Sequence, residues 1–294
     1  MQKKVSADFF RVRMPDDEPR VFTALLAGIL KDKPNPADRN QRLGGYWYRL
    51  QLLEQKGPLW LGSFIRIRMD DLPGIAKLNG DTRELNLAQD EGLDDETSFV
   101  YTQRYGAIVI QRNFQAVRPS TVETYINKIT ECDLSLEVIL QRDAFERLGR
   151  MKLIRSFDFR LASPTNPVYK NVRAVRGILD SAEYLGALRA GVVLSMGRGK
   201  GSLTPSRIID AARTLAQLHG RQAEVEKVLV KGSRGLPDEP LETIDLLEYR
   251  LVEEFKVETI DRRLPGPEIR KELVSALSRQ DEELREQFGK SKGR

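Results

Sequence analysis

The sequence is short of the residues that metal centres and nucleophilic sites most often use. Its 294 residues include a single cysteine, Cys132, and a single histidine, His219. One cysteine excludes an internal disulfide framework and is typical of a reducing compartment, so we expect a cytoplasmic protein. One histidine with one cysteine excludes a Cys/His zinc site and a two-histidine iron site. We therefore expect neither a cofactor nor a bound metal.

Long apolar segments are also missing. No run of about 18 apolar residues occurs, and the N-terminus has no apolar stretch of signal-peptide length, so we expect no membrane insertion. The hydrophobic fraction of 40% is ordinary for a globular protein. The charged fraction is 31%, with a net charge of +5 and a pI of about 9.2, which mildly favours a polyanionic partner.

Strand and helix patterns alternate along the chain, with several hairpins. Turns at Lys56-Gly57-Pro58 and at Tyr105-Gly106 each separate two apolar-rich arms. A helix is predicted from Pro119 to about Thr130, with apolar residues at helical spacing. The pattern predicts an α+β fold with mixed or mainly antiparallel sheets, hairpins and flanking helices. We expect two subdomains, 1–132 and 133–294.

The glycine-rich stretch VVLSMGRGKGSLTPSRII, residues 192–209, lies between an apolar strand and a helix. A Walker A loop requires G-x-x-x-x-G-K-[ST], but Gly201 follows Lys200 here, and the dinucleotide pattern G-x-G-x-x-G also fails. Thr204 and Pro205 are suited to begin the helix. Two interpretations remain open: a basic turn that contacts phosphate at a helix N-terminus, and a solvated connecting loop.

Charge is unevenly distributed along the sequence. Residues 142–176 contain nine basic and three acidic residues, and residues 198–234 contain eight basic and three acidic ones. Residues 238–261, in contrast, contain nine acidic and two basic residues. This segregation is typical of a protein with a face for a nucleic-acid backbone. Ordinary surface charge remains an alternative.

Two further clusters have alternative interpretations. Aromatic residues on predicted strands are expected mainly in the core, with base stacking as the alternative; they are Tyr46, Trp47, Tyr48 and Trp60. The acidic stretch that includes Asp90 and Glu91 is of a kind that holds Mg²⁺ for phosphodiester cleavage. It lacks the D/E-x-K element of a common nuclease motif, so a solvated acidic loop is the preferred interpretation. A metal-dependent nuclease remains the enzyme alternative.

Residues 85–130 resemble the central segment of the RexA-like prophage exclusion family, to which KwaB-type defence proteins are similar at a greater distance. The elements are an acidic turn, a hydroxyl-aromatic strand, a strand that ends in arginine and a helix after a hydroxyl-rich turn. Here they are Asp90, Glu91 and Leu93, then Ser98 and Phe99, then Arg112, then Ser120 and Thr121. The resemblance implies a non-enzymatic, dimeric protein of phage defence that binds double-stranded DNA with little sequence preference.

The leading hypothesis is thus a cytoplasmic homodimer that binds double-stranded DNA in anti-phage defence, with a second defence protein or a phage component as a further partner. The residues predicted to contact DNA are Lys152, Arg155, Arg160, Lys170, Arg173, Arg176, Arg198, Lys200 and Arg207. A sensor or interaction module without nucleic-acid binding is the third hypothesis.

Overall fold

The computed structural model describes residues 1–113, 115–162, 176–199, 201–218, 224–235 and 239–289. Its strands are β1 (Gln2–Arg13), β2 (Asn40–Leu43), β3 (Tyr46–Lys56), β4 (Leu59–Arg68), β5 (Ile75–Ala76), β6 (Thr82–Arg83), β7 (Leu93–Thr102), β8 (Ala107–Gln111), β9 (Ser135–Val138), β10 (Leu153–Ala162), β11 (Arg189–Ser195), β12 (Glu224–Ser233), β13 (Glu242–Asp245) and β14 (Val252–Glu258). Its helices are α1 (Phe22–Asp32), α2 (Pro119–Thr130), α3 (Arg142–Arg150), α4 (Arg176–Tyr184), α5 (Pro205–Leu218), α6 (Gly266–Arg279) and α7 (Asp281–Phe288), with a 3₁₀ helix at Pro36–Arg39. The predicted α+β fold class is confirmed.

The chain forms two compact units, and each is assembled from separate segments. The first unit comprises Met1–Ala7, Val12–Ser135 and Glu253–Gln280. The second unit comprises Asp8–Arg11, Leu136–Val252 and Asp281–Arg294. The division predicted from the sequence, 1–132 and 133–294, stays a prediction. Within the described ranges, no helix has the length and apolar character needed to cross a membrane.

The largest described sheet has the strand order β14-β1-β8-β7-β4-β3-β2, with β9 beside β1. The ladders β2–β3, β3–β4, β4–β7 and β7–β8 are antiparallel. The predicted turns are confirmed: Gly57 and Gly106 have φ angles of +58° and +59°, a conformation that glycine adopts without a steric penalty. In the first unit, the core includes Phe64, Phe99 and Tyr125, whose rings are in contact.

A buried tyrosine and a buried arginine join β3 to the 3₁₀ helix that precedes β2 in the first unit. Tyr125 is fully buried; its hydroxyl donates to the carbonyl oxygen of Arg39 and accepts a hydrogen bond from the Leu50 N–H at 3.0 Å. The Arg39 side chain donates to the carbonyl oxygens of Lys33, Pro34 and Leu50. Burial lowers the pKa of Arg39 and raises the pKa of Tyr125 to about 12. Polar side chains thus supply hydrogen bonds where the short edge ladder begins.

The second unit contains an antiparallel four-stranded sheet in the order β11-β10-β12-β13. Side chains alternate along β10: Phe157, Phe159 and Leu161 are buried, whereas Asp158 and Arg160 are not. This alternation is typical of a sheet with one covered face and one open face. Helix α5 packs against β12 and β10, and helix α4 packs against β11.

Candidate nucleic-acid interface

The loop that follows β11 is fastened to the start of β10. The guanidinium of Arg155 donates hydrogen bonds to the carbonyl oxygens of Gly201, at 2.7 Å, and Gly197, at 3.1 Å. Ile154 and Leu203 form a β-bridge, in which the Leu203 N–H donates to the carbonyl oxygen of Ile154 at 2.9 Å. Arg155, predicted to contact phosphate, therefore holds the loop and has fewer donors left for a ligand.

The glycines of this loop have structural reasons for their positions. Gly197 has a φ of +55°, in the left-handed region that disfavours other residues. A Cβ atom at Gly199 would lie 3.2 Å from the carbonyl oxygen of Met196, which is tighter than an ordinary contact. A Cβ at Gly201 would lie 2.7 Å from Met196 Cε, a clash that the flexible methionine can relieve. The glycine spacing therefore serves a compact turn.

Helix α5 begins where the sequence predicts, directly after the loop. Pro205 is its first residue, and the Ile208 N–H donates to the carbonyl oxygen of Thr204 at 3.1 Å. Arg207 is exposed in the first turn, which contains no acidic residue. A cation at a helix N-terminus faces the positive end of the helix dipole and costs about 0.3–1 kcal/mol. A bound anion would offset this cost, since the helix dipole and the guanidinium would both attract it.

The basic side chains of the second unit divide into two groups. One group pairs with carboxylates and comprises Arg142, Arg147, Arg150, Arg189, Lys227, Arg234, Arg250 and Arg285. Hydrogen bonds to Glu146 and Glu242 raise the pKa values of Arg142 and Arg147, respectively. The other group has no ion pair among the described residues and comprises Lys152, Arg155, Arg160, Arg176, Arg198, Arg207 and Lys231. The second group contains every described residue of the predicted DNA-binding set.

The open face of the four-stranded sheet adds cations to this surface. Arg160 is exposed, and its register partners on the two neighbouring strands are Gly191 and Lys227. A Cβ atom built at Gly191 would lie 3.9 Å from Arg160 Nε, so the arginine side chain passes over this glycine. Lys231 is exposed opposite Ser156 and has no ion pair among the described residues. The sequence prediction omitted Lys231, although its alternation with the buried Val230 would have indicated it.

The structure brings only part of the predicted set together. Lys152, Arg155 and Arg198 lie at one end of the sheet, where β10 begins and β11 ends, and Arg207 follows the same loop. Arg160 lies five residues further along β10 than Arg155, or about 16 Å at the usual rise of a strand. Arg176 begins helix α4. Lys170, Arg173 and Lys200 lie outside the described residues, as does His219.

The acidic segment of the nuclease alternative lies in the first unit, and several of its carboxylates form ion pairs with arginines. Asp95 accepts a hydrogen bond from Arg66 at 2.8 Å and also contacts Arg68. Asp94 pairs with Arg263 at 3.8 Å, and Glu96 pairs with Arg270 at 3.1 Å. The carboxylate of Glu91 accepts a hydrogen bond from the Ala88 N–H at 2.9 Å, as in a turn. Among the described residues, no cluster of three His, Cys, Asp or Glu residues is placed to hold a metal ion.

The fold and the charge distribution define an α+β protein of two units. The second unit presents cations that have no ion pair among the described residues, some of them beside a strand-to-helix loop. Residues 1–276 match DUF6731, a family of unknown function, and the chain belongs to that family. No curated protein matches the chain.

Proposed function

We propose that the protein binds double-stranded DNA without sequence preference through the second unit. The observation that carries the proposal is that all six described members of the predicted set lack an ion pair among the described residues, while eight other basic side chains of the unit have one. An unpaired cation keeps its full attraction for a phosphate, whereas a paired one must first give up its carboxylate.

The positions of these cations suit contacts to the DNA phosphate backbone better than contacts to base edges. Arg198 and Arg207 lie in and just after one loop at a helix N-terminus, and Lys152 lies just before β10, beside Ser233 at the end of β12. Arg160 extends the basic surface along the open sheet face. Arg155 supports the loop through its hydrogen bonds to Gly197 and Gly201. Cations on a loop and a sheet face attract phosphate oxygens but do not read the base pattern of a groove.

The proposed biological role is anti-phage defence of the RexA-like type. It is supported by the resemblance of residues 85–130 together with the unpaired cations of the second unit. We propose that the protein is a cytoplasmic homodimer without catalytic activity, and that it acts with a second defence protein or a phage component. Light scattering coupled to size exclusion tests the dimer, because a mass near 33.5 kDa at micromolar concentration contradicts it.

Two matched double variants test the DNA interface. Arg198→Ala/Arg207→Ala removes two unpaired cations, whereas Arg142→Ala/Arg150→Ala removes the same charge from residues that pair with Glu146. Binding to a fluorescent 30-base-pair duplex of random sequence is measured by anisotropy at several salt concentrations. We expect the first variant to reduce the magnitude of the salt slope by about 1.8, because each lost phosphate contact removes about 0.9. The control variant should keep the slope of the natural protein.

Equal losses in the two variants would contradict the assignment of the interface, since they would show that only net charge matters. A plaque assay with Arg198→Glu/Arg207→Glu separates DNA binding from a sensor role. Full protection by a variant that no longer binds duplex would favour the interaction-module hypothesis.

A further inference from the structure

Of the four aromatic residues expected in the core, three lie on β3 and Trp60 lies on β4, and two of the four are exposed. Tyr48 and Trp60 are buried, at 8% and 4% exposure, as the sequence predicts for core residues. Tyr46 and Trp47 are exposed at 45% and 39%, which the core prediction does not account for. One face of the Tyr46 ring is occupied by the guanidinium of Arg66, whose Cζ lies 5.2 Å from the ring centroid.

Trp47 lies on the opposite face of the sheet from Tyr46, beside the exposed residue Arg42. Arg42 is directly opposite Trp47 in the ladder, and Arg49 is two residues along the same strand, opposite Asn40. Directly opposed residues, and residues two apart on a strand, project from the same face. Arg42 is exposed and has no ion pair among the described residues, whereas Arg49 Nε and Asn40 Oδ1, which lack hydrogen-bond partners, are buried from solvent.

The acidic residues nearest to Trp47 on this face do not neutralise these cations. Across β4, Ile67 lies opposite both Trp47 and Asp94, which places Asp94 two strand spacings, or about 10 Å, from Trp47. Asp94 pairs with Arg263, and the next carboxylate on that face, Glu96, pairs with Arg270. The surface around Trp47 is therefore both aromatic and positively charged.

We propose that Trp47 is a stacking platform for an unpaired base of single-stranded nucleic acid. Arg42 would contact the adjacent phosphate. An exposed aromatic face with a flanking cation is the arrangement that sequence-tolerant single-strand binding uses. A duplex offers no free base face, so this site selects single strands. The proposal goes beyond duplex binding, because it uses other residues in the other unit.

The sequence makes Trp47 easy to monitor, since Trp60, which is buried, is the only other tryptophan. Titration with 12-nucleotide oligo-dT, and separately oligo-rU, should quench the fluorescence of the exposed indole to saturation. Trp47→Phe should lose most of the quenching and keep most of the affinity, because phenylalanine retains an aromatic face. Trp47→Ala should weaken binding about ten-fold. Arg42→Ala should reduce the salt slope by about 0.7, the value for one phosphate of a single strand.

Three comparisons decide the proposal. An abasic 12-mer should bind the natural protein about as weakly as oligo-dT binds Trp47→Ala, because neither pair can stack a base on the indole. Arg68→Ala, which loses a cation paired with Asp95 on the opposite face, should leave binding unchanged. Excess duplex should leave the quenching by the oligonucleotide in place, because a duplex does not compete for Trp47. This expectation holds whether or not the second unit binds duplex.

Unchanged affinity in Trp47→Ala, or abasic and dT oligomers of equal affinity, would overturn the proposal. Equal quenching by oligoglutamate would also overturn it, because the surface would then fit an acidic protein segment.

Discussion

Replacement of Arg155 by methionine should loosen the loop between β11 and α5 without unfolding the protein. The guanidinium makes two hydrogen bonds across the loop, to Gly201 at 2.7 Å and to Gly197 at 3.1 Å. Hydrogen bonds from a charged group contribute about 1.5–3 kcal/mol each when buried. Because Arg155 is only half-buried, we take about 2 kcal/mol for the pair. That change in free energy should raise the equilibrium constant for opening of the loop about 30-fold.

Hydrogen exchange measured by mass spectrometry or NMR tests this expectation at the Gly199 and Leu203 amides. These amides donate to the carbonyl oxygens of Met196 and Ile154 at 3.0 and 2.9 Å. Loop opening exposes them, so their exchange should follow the opening equilibrium. Arg155→Lys should recover only part of the protection, because the compact ammonium group lacks the planar pair of NH₂ groups with which arginine reaches both carbonyl oxygens.

Arg198→Met is the matched control, because it removes an arginine of the same loop that has no ion pair among the described residues. Its exchange pattern should equal that of the natural protein. Exchange that is unchanged in Arg155→Met, or accelerated equally in both variants, would refute the positioning role of Arg155.

Two further predictions concern the first unit. Tyr125→Phe leaves the Leu50 N–H and the Arg39 carbonyl without their tyrosine partner, so urea unfolding should show a loss of about 2 kcal/mol, and an unchanged midpoint would contradict it. The pKa of Tyr125 is raised to about 12, so the fold favours the neutral phenol. The contribution of this group to the stability of the fold is complete below pH 10 and should disappear as the pH rises through 12. Tyr125→Phe should not show this alkaline loss of stability. Glu18 behaves in the opposite sense: hydrogen bonds from Arg20 lower its pKa from 4.5 to about 2, so its contribution is present above pH 4.5 and lost as the pH falls through 2. Thermal melts of Glu18→Gln between pH 5 and 2 should show a smaller acid dependence, and an identical dependence would contradict this assignment.

Local sequence patterns predict much of the fold, because turns and helix starts depend on nearby residues. The helix Pro119–Thr130 has its predicted bounds, and both glycine turns lie between paired strands. Strand β2, in contrast, is not among the elements that the local sequence patterns predict. Its four residues form a strand because β3 pairs with them. Tyr125, which is distant in sequence, bonds both Leu50 of β3 and Arg39, the residue before β2.

The candidate site shows the same limit. Charge counts indicate which segments are basic, but they do not show which cations already have a carboxylate partner. Arg155 contacts Gly201 across 46 residues of sequence, so its supporting role needed the structure. The acidic residue Asp95 likewise pairs with Arg66 across 29 residues. Residue composition cannot separate a paired charge from an unpaired one, because the partners meet only in the folded chain.

The salt dependence of duplex binding tests the central claim most directly. The four unpaired cations best placed for phosphate contact are Lys152, Arg160, Arg198 and Arg207. Four phosphate contacts predict a slope of about −3.6 for the logarithm of the affinity against the logarithm of the salt concentration. The affinity should then fall about 150-fold between 50 and 200 mM salt. A flat slope, or no duplex binding at about 50 mM salt, would contradict the account.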